Sequence, residues 1–198
     1  MKPASPPLLI LDRVMIRVPK GPVLAENLNV ELYPGKALLI RGANGSGKTT
    51  LLKALLGMLL LEKGQVKWQI PAHRRGYLPQ LQAQQTHLPF LLSDILSSPT
   101  ASLALGLLEA RHLKTPWNAA SGGERKRALL SRILLEEPEA LILDEPLNHL
   151  DQESRRLIIY QVKAFLAHRN AHRVAIIVSH DSSWEEELGK DACVRVEL

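Results

Sequence analysis

The segment Gly42-Ala43-Asn44-Gly45-Ser46-Gly47-Lys48-Thr49 constrains this chain more than any other. It has the spacing G-x-x-x-x-G-K-[ST]. Lys36-Ala37-Leu38-Leu39-Ile40 before it reads as a short buried strand, and the run from Thr50 onward reads as a helix reaching about Leu61. That strand–loop–helix setting separates a phosphate-cradling loop from a glycine-rich turn with an accidental lysine. Gly42, Gly45 and Gly47 let the backbone curl so that successive N–H groups point inward at phosphate oxygens. The helix beginning near Lys48 adds its positive end. Lys48 then reaches the β- and γ-phosphates of a nucleotide, and Thr49 offers its hydroxyl to Mg²⁺. Residues 42–50, Thr50 included, form the expected nucleotide-binding set.

The chain has 198 residues, enough for one domain with a small insertion and long enough to bury roughly 70% of its unfolded surface. Cys193 is the only cysteine, so no disulfide forms within the chain, which fits a reducing compartment. The start, Met1 to Pro7, is proline-rich and expected to fray. Leu8 to Leu11 is too short for the core of a signal peptide. The apolar run 54–61 is too short to span a membrane, so the chain is expected to be soluble, with any membrane role supplied by a partner. The net charge of +5 is scattered, as in Arg74-Arg75 and Arg125-Lys126-Arg127, and reads as solvated faces and a phosphate-binding surface rather than a track for nucleic acid or anionic lipid.

Residues 8 to 40 read as short strands separated by turns at Pro19-Lys20-Gly21-Pro22 and Tyr33-Pro34-Gly35. Gly76 to Gln80 reads as a strand ending in a polar residue. Residues 81 to 119 change character: glutamines give way to short apolar helical runs broken by Pro89, Pro99 and Pro116, which suggests a helical insertion. Ala140 to Leu143 and Val174 to Val178 are continuous apolar runs, as expected of parallel strands covered on both faces. Ile158, Val162 and Phe165 between them recur at helical spacing. The expected fold is α/β, with a mostly parallel sheet core, an N-terminal antiparallel β part and a small inserted helical subdomain. Ligands in such sheets sit at the carboxyl ends of the strands, where Gln80, Asp144 and His180 all fall.

Asp144-Glu145 closes one of those strands. One carboxylate can hold Mg²⁺, which takes few protein carboxylates and keeps several waters; the other can accept a proton from an attacking water. Without a metal and phosphate nearby, two adjacent buried acids repel each other. Ser121 and Glu124 have capping-box spacing ahead of a helix that runs to Glu137 and is stopped by Pro138. Gly122 and Gly123 in its first turn weaken that helix by about 1 kcal/mol each. Baring the backbone to a phosphate is a use that offsets this, although local rules also allow a merely flexible cap.

With these residues in place, the chain resembles, over nearly its full length, the nucleotide-binding domain of ATP-binding cassette (ABC) proteins. Residues 42–49 match the Walker A motif, Tyr77-Leu78-Pro79-Gln80 the Q-loop, and Leu141 to Glu145 Walker B with its catalytic glutamate. Ala120-Ser121-Gly122-Gly123-Glu124 resembles the signature motif, with Ala and Glu where the usual pattern has Leu and Gln. Asn148-His149-Leu150-Asp151 matches the D-loop and Val178-Ser179-His180-Asp181 the switch histidine.

The resemblance implies a divided site, in which two cassettes pack head to tail with ATP between them. Ser121, Gly122 and Gly123 would then serve the partner's nucleotide, with Ser121 and Gly123 on its γ-phosphate. Gln80 would join Thr49 and Asp144 around Mg²⁺, Glu145 would polarise the water, His180 would hold the γ-phosphate and orient Glu145, and Asp151 would cross the dimer interface. His149, His168 and His172 read as surface residues. Three departures stand out, one of them a compact helical insertion between Gln80 and Ser121. Val18 falls where the family usually stacks adenine on an aromatic ring, so stacking should be weaker by about 1 kcal/mol, with poor discrimination between ATP and GTP. The sequence also stops soon after His180, so no regulatory domain is expected.

The function implied is the ATPase subunit of a membrane transporter. It would be cytoplasmic, bound at the inner face of the cell membrane through integral permease subunits, and paired with a second copy or a related cassette. Residues 88–96 and Tyr77 to Gln80 look most like importers of metal ions such as zinc or manganese; Pro89 to Leu92 serves either as an exposed docking edge or as local core. The alternatives are a soluble cassette acting on ribosomes or nucleic acid, and an ATP-binding regulator that does not turn over. Ribosome-acting relatives carry two cassettes on one chain, whereas this chain has one, and an intact Glu145 and His180 argue for turnover.

Overall fold

The computed structural model describes residues 5–17, 21–81, 90–168, 172–181 and 183–198. In chain order the strands are β1 (Leu9–Arg17), β2 (Val23–Leu32), β3 (Ala37–Arg41), β4 (Lys63–Trp68), β5 (Arg75–Leu78), β6 (Ala140–Asp144), β7 (Val174–Val178) and β8 (Cys193–Glu197). The helices are α1 (Lys48–Leu55), α2 (Pro99–Ala104), α3 (Ala110–Leu113), α4 (Gly122–Leu135), α5 (Gln152–Leu166) and α6 (Ser183–Leu188). Five strands form a parallel sheet in the order β5-β6-β7-β3-β8. Three others form an antiparallel sheet in the order β2-β1-β4.

The apolar runs explain the layering. Every residue of β6 and β7 is buried. Alternate side chains face opposite sides of the sheet. Leu38, Ile40, Ile142, Ile176 and Val178 pack with Leu51, Leu52 and Leu55 of α1 and with Leu9, Leu11 and Leu32 of the antiparallel sheet. Leu39, Leu141, Leu143 and Ile177 pack on the other side with Ile158, Val162 and Phe165 of α5 and with Trp184 of α6. The α/β architecture expected from the sequence is present, with both parts of the sheet system.

Residues 90–120 form a satellite cluster in which Leu92, Leu96 and Leu108 pack against Ala120 and Ala128. Leu92 is fully buried and Phe90 stacks on Trp117 at 5.4 Å, so these two belong to local packing; Leu88 and Pro89 lie outside the described residues. Val18, expected in place of an adenine-stacking ring, also lies outside them.

One boundary differs from expectation. Helix α1 stops at Leu55 rather than near Leu61. Gly57 adopts φ 76°, Gly57 N–H donates to Ala54 O, and Met58 N–H donates to Lys53 O. This is a Schellman ending, which a left-handed glycine makes favourable and which overrides the leucine run beyond it. Among the described residues, no helix is long and apolar enough to cross a membrane.

Candidate active site

The loop joining β3 to α1 wraps around its own lysine. A Cβ at Gly42 would lie 2.5 Å from Ser46 Oγ and 2.6 Å from Leu198 O, so only glycine fits that approach. Gly47, at φ 99°, sits immediately ahead of α1. The Lys48 ammonium is buried and donates to the carbonyls of Gly42 and Ala43, each at 2.9 Å. It also lies 3.7 Å from Glu145 Oε1.

The acidic pair stands across from the loop at the end of β6. Asp144 is 1% exposed and accepts from the Thr49 hydroxyl at 3.2 and 3.4 Å. Burial pushes its carboxyl above the usual range; the Thr49 bond opposes this, the charge of Glu145 adds to it, and Lys48 and Lys53 oppose it. Glu145 leaves the strand in a left-handed conformation, φ 48°, with its N–H donating to Val178 O at 2.9 Å. Such a conformation costs a non-glycine residue about 1–2 kcal/mol, so packing or function must maintain it. His180 Nδ1 lies 3.2 Å from Glu145 Oε2 and 3.4 Å from Oε1. Oε2 is nevertheless buried without a hydrogen-bond partner, and buried polar atoms left this way are rare enough to mark a place for water or ligand.

Asn44, Gly45, Gly47, Lys48, Thr49, Thr50, Gln80 and Glu145 line one cleft of about 430 Å³, together with Asn148 and His149. Asp144 joins it through Thr49 and His180 through Glu145. His149, read from sequence as an unremarkable surface residue, is exposed at φ 58° and forms part of the cleft wall; its position shortly after the carboxyl end of β6 was the available signal. His168 and His172 are exposed. A larger hollow of about 910 Å³ lies on the antiparallel sheet beside Asp12, Arg13 and Lys63, but the phosphate loop and the acidic pair belong to the smaller cleft.

Ser121, Gly122, Gly123 and Asp151 are not among the described residues lining that cleft. Ser121 caps α4: its Oγ accepts from Glu124 N at 3.1 Å, and Glu124 Oε2 accepts from Ser121 N at 2.7 Å. A Cβ on Gly122 would meet nothing, whereas one on Gly123 would come within 2.7 Å of Ser154 Oγ and 3.2 Å of Asp151 Oδ2. Gly123 therefore has a packing role within its own chain that local sequence rules do not reveal. Asp151 caps α5, accepting from Ser154 N at 2.8 Å and Ser154 Oγ at 2.7 Å, and these bonds hold its carboxyl below the usual range.

Sequence reasoning missed one supporting pair. Arg155 of α5 donates to Asp181, next to His180, and to Leu147 O at 3.3 Å. Asp181 Oδ1 also accepts from Ser183 N at 2.9 Å.

The donor set fits Mg²⁺. A threonine hydroxyl, one carboxylate and a side-chain amide oxygen from Gln80 are hard oxygen ligands. Among the described residues, no three His, Cys, Asp or Glu side chains form a group that could hold a metal ion by themselves.

A sequence model of the ABC transporter family matches residues 25–148. The chain is 37% identical over 184 residues to the zinc import ATP-binding protein ZnuC of Pseudomonas fluorescens (strain Pf0-1), covering 89% of this chain and 69% of that protein. It is 34% identical over 181 residues to the zinc import ATP-binding protein ZnuC 1 of Hahella chejuensis (strain KCTC 2396), with the same two coverages, 89% and 69%. Among solved structures, a dimeric ATP-binding cassette in a post-hydrolysis state, bound to ADP and Pi, shares the fold with a TM-score of 0.74 at 19% identity, over 96% of both chains.

Proposed function

The chain belongs to the ABC transporter family, and from that premise we propose how it works as the ATP-binding and ATP-hydrolysing subunit of a transporter. It acts as a head-to-tail pair, with a second copy of itself or a related cassette, and drives separate permease subunits that hold it at the inner face of the cell membrane. The relatives' names point to zinc or a similar divalent cation as cargo and to import as direction. We take residues 1–198 as one cassette, with 8–80 and 120–198 as core and about 81–119 as the helical subdomain that meets the permease.

One observation carries this reading. Lys48, the Thr49–Asp144 pair and the Glu145–His180 pair converge at the carboxyl ends of β3, β6 and β7, while Ser121 caps a helix outside the cleft. When a triphosphate enters, the Lys48 ammonium exchanges the Gly42 and Ala43 carbonyls for β- and γ-phosphate oxygens, which raises its Coulomb gain in a partly dry site. The loop N–H groups of residues 43–50 cradle the phosphates. Thr49, Asp144 and Gln80 would hold Mg²⁺, whose contribution when bound is to neutralise charge on the phosphates. Glu145 accepts the proton of the attacking water, its unpartnered Oε2 being the available acceptor, and His180 orients that carboxylate beside the γ-phosphate. Ser121 and Gly123 of the partner copy supply the remaining donors to the γ-phosphate, with Asp151 at the seam between the copies. No nucleic acid takes part.

The test is affinity purification from membranes of cells expressing the chain at its native level. A polytopic permease should co-purify, and metal uptake into those cells should be lost in Glu145→Gln. Co-sedimentation with ribosomes in low salt, without a membrane fraction, would overturn the transport reading.

A further inference from the structure

Lys126 is 5% exposed, and among the described residues no carboxylate lies within ion-pair distance of it. Its ammonium instead donates to three backbone carbonyls: Glu145 at 3.0 Å, Pro146 at 3.2 Å and Asn148 at 2.9 Å. A lysine has three N–H donors, and all three are used on one turn. Burial lowers its pKa, opposed by the charge of Glu145. A buried cation is costly to keep unless its hydrogen bonds compensate, and an apolar side chain on α4 would pack here without that cost.

The turn that Lys126 gathers is the strained one. Glu145 has φ 48°, and its other backbone bonds are its N–H to Val178 O at 2.9 Å and a long contact of 3.4 Å from Asn148 N to its carbonyl. The ammonium therefore supplies the shorter bond to the Glu145 carbonyl and fixes the segment just beyond it. Lys126 sits on α4 a little more than one turn from Ser121, which caps the same helix. One side chain thus joins the helix end offered to a partner's nucleotide with the catalytic turn of the chain's own cleft.

We propose that Lys126 is a positioning residue for Glu145. By collecting the carbonyls of residues 145, 146 and 148, it holds the left-handed turn that aims the carboxylate into the cleft, and it ties that aim to the placement of α4. This inference rests on the ATPase reading and adds to it a mechanical link between the two half-sites of one chain. When α4 settles against a partner's nucleotide, the turn carrying Glu145 is held with it.

The experiment compares wild type, Lys126→Met and Lys126→Gln well below each variant's Tm, reading ATP affinity with a fluorescent ATP analogue and kcat and KM by phosphate release. Lys126→Met should lose about tenfold or more in kcat while KM and affinity stay within about twofold, the pattern of a group acting on the chemical step. Lys126→Gln, which keeps two N–H donors on a shorter stem, should lose about threefold or more. In a Glu145→Gln background, Lys126→Met should cause no further loss, because its effect passes through that carboxylate. A folded Lys126→Met or Lys126→Gln with kcat within about twofold of wild type overturns the proposal, as does an equal loss in both Glu145 backgrounds. Should Lys126→Met fail to fold, Lys126→Gln carries the same cycle. Absence of ATP hydrolysis by wild-type dimers would instead overturn the ATPase reading itself.

Discussion

The phosphate-loop cleft and the exposed end of α4 hold the same kind of chemistry in opposite states. In the cleft, the polar groups mostly answer one another within the chain: Lys48 bonds to its own loop carbonyls, Thr49 to Asp144, and His180 lies against Glu145. At the end of α4, Ser121 and Glu124 exchange two capping bonds, Gly122 faces open space, and Ser121 and Gly122 are exposed. In the cleft an entering triphosphate would take over the two Lys48 bonds to the loop carbonyls, so entry exchanges interactions rather than creating them from nothing. The α4 end is answered only by its own capping box, and a phosphate for it must come from another molecule. Substitutions in the first region should therefore change nucleotide binding by a single chain, and substitutions in the second should change turnover only when two chains meet.

The largest test of that contrast is Lys48→Ala. Removing the buried cation proposed to meet the β/γ-phosphates should cut kcat/KM by about a thousandfold or more, since phosphoryl transfer is mostly positioning and charge stabilisation. Nucleotide binding by isolated chains should weaken in the same variant, as read by isothermal titration. Ser121→Ala should behave differently. It should lower kcat about a hundredfold, as for loss of one donor to developing charge, yet leave nucleotide affinity of dilute, monomeric chains within about twofold. The lost cap also costs about 1 kcal/mol of stability, so turnover has to be measured far below Tm. If monomer affinity falls in step with kcat, Ser121 serves its own nucleotide and the contrast between the two regions is wrong.

Legibility in the sequence divides along similar lines. The cleft was readable because its parts are anchored by local rules: a glycine loop between strand and helix, acids at the end of a buried strand, and a histidine after another. Each rule places a residue at a carboxyl strand end, and the parallel sheet brings those ends together. The long-range supports were not readable. Arg155 pairs with Asp181 across 26 positions of sequence, and Lys126 bonds to carbonyls 19 to 22 positions away. Nothing in local periodicity specifies a side chain that reaches backbone on another element. Strands β4 and β8 escaped notice for a related reason. Lys63–Trp68 alternates only weakly and is mostly exposed, so its strand state comes from pairing with β1 rather than from its own pattern.

Gly122 and Gly123 sharpen the comparison with a smaller effect. Sequence reasoning treated them alike, as bare backbone for a phosphate. The structure separates them: Gly123 packs against Asp151 and Ser154, and Gly122 packs against nothing. Gly123→Ala should destabilise the folded monomer by about 2 kcal/mol through overpacking at the α4–α5 contact. Gly122→Ala should be neutral or stabilise by up to about 1 kcal/mol through helix propensity. Urea denaturation of both variants reads the difference directly. Equal stabilities would mean that the helix end relaxes freely, and that its glycines are there only for the partner's phosphate.

The smallest expected effect lies on the cleft's rim and depends on pH. Asp181 is held at about 2, below the usual carboxylate value, by the hydrogen bonds from Arg155 and Ser183, against the opposing effect of its own burial. A depressed folded-state pKa means that the folded chain binds protons less readily than the unfolded one, so this group stabilises the fold above its unfolded pKa. That contribution should be lost as pH falls from about 4 toward 2. Because Arg155 and Asp181 are partly exposed, screening reduces it to about 1 kcal/mol. Asp144 acts in the opposite sense, since its raised pKa favours the folded state only while the carboxyl is protonated. The two can be separated with Asp181→Asn. The stability gap between wild type and Asp181→Asn should be constant from pH 7 to about 5 and close between about pH 4 and 2, at any protein concentration, because the pair lies wholly within one chain. A gap that stays open at the lowest pH would mean that packing around the side chain, rather than its charge, secures the loop beside His180.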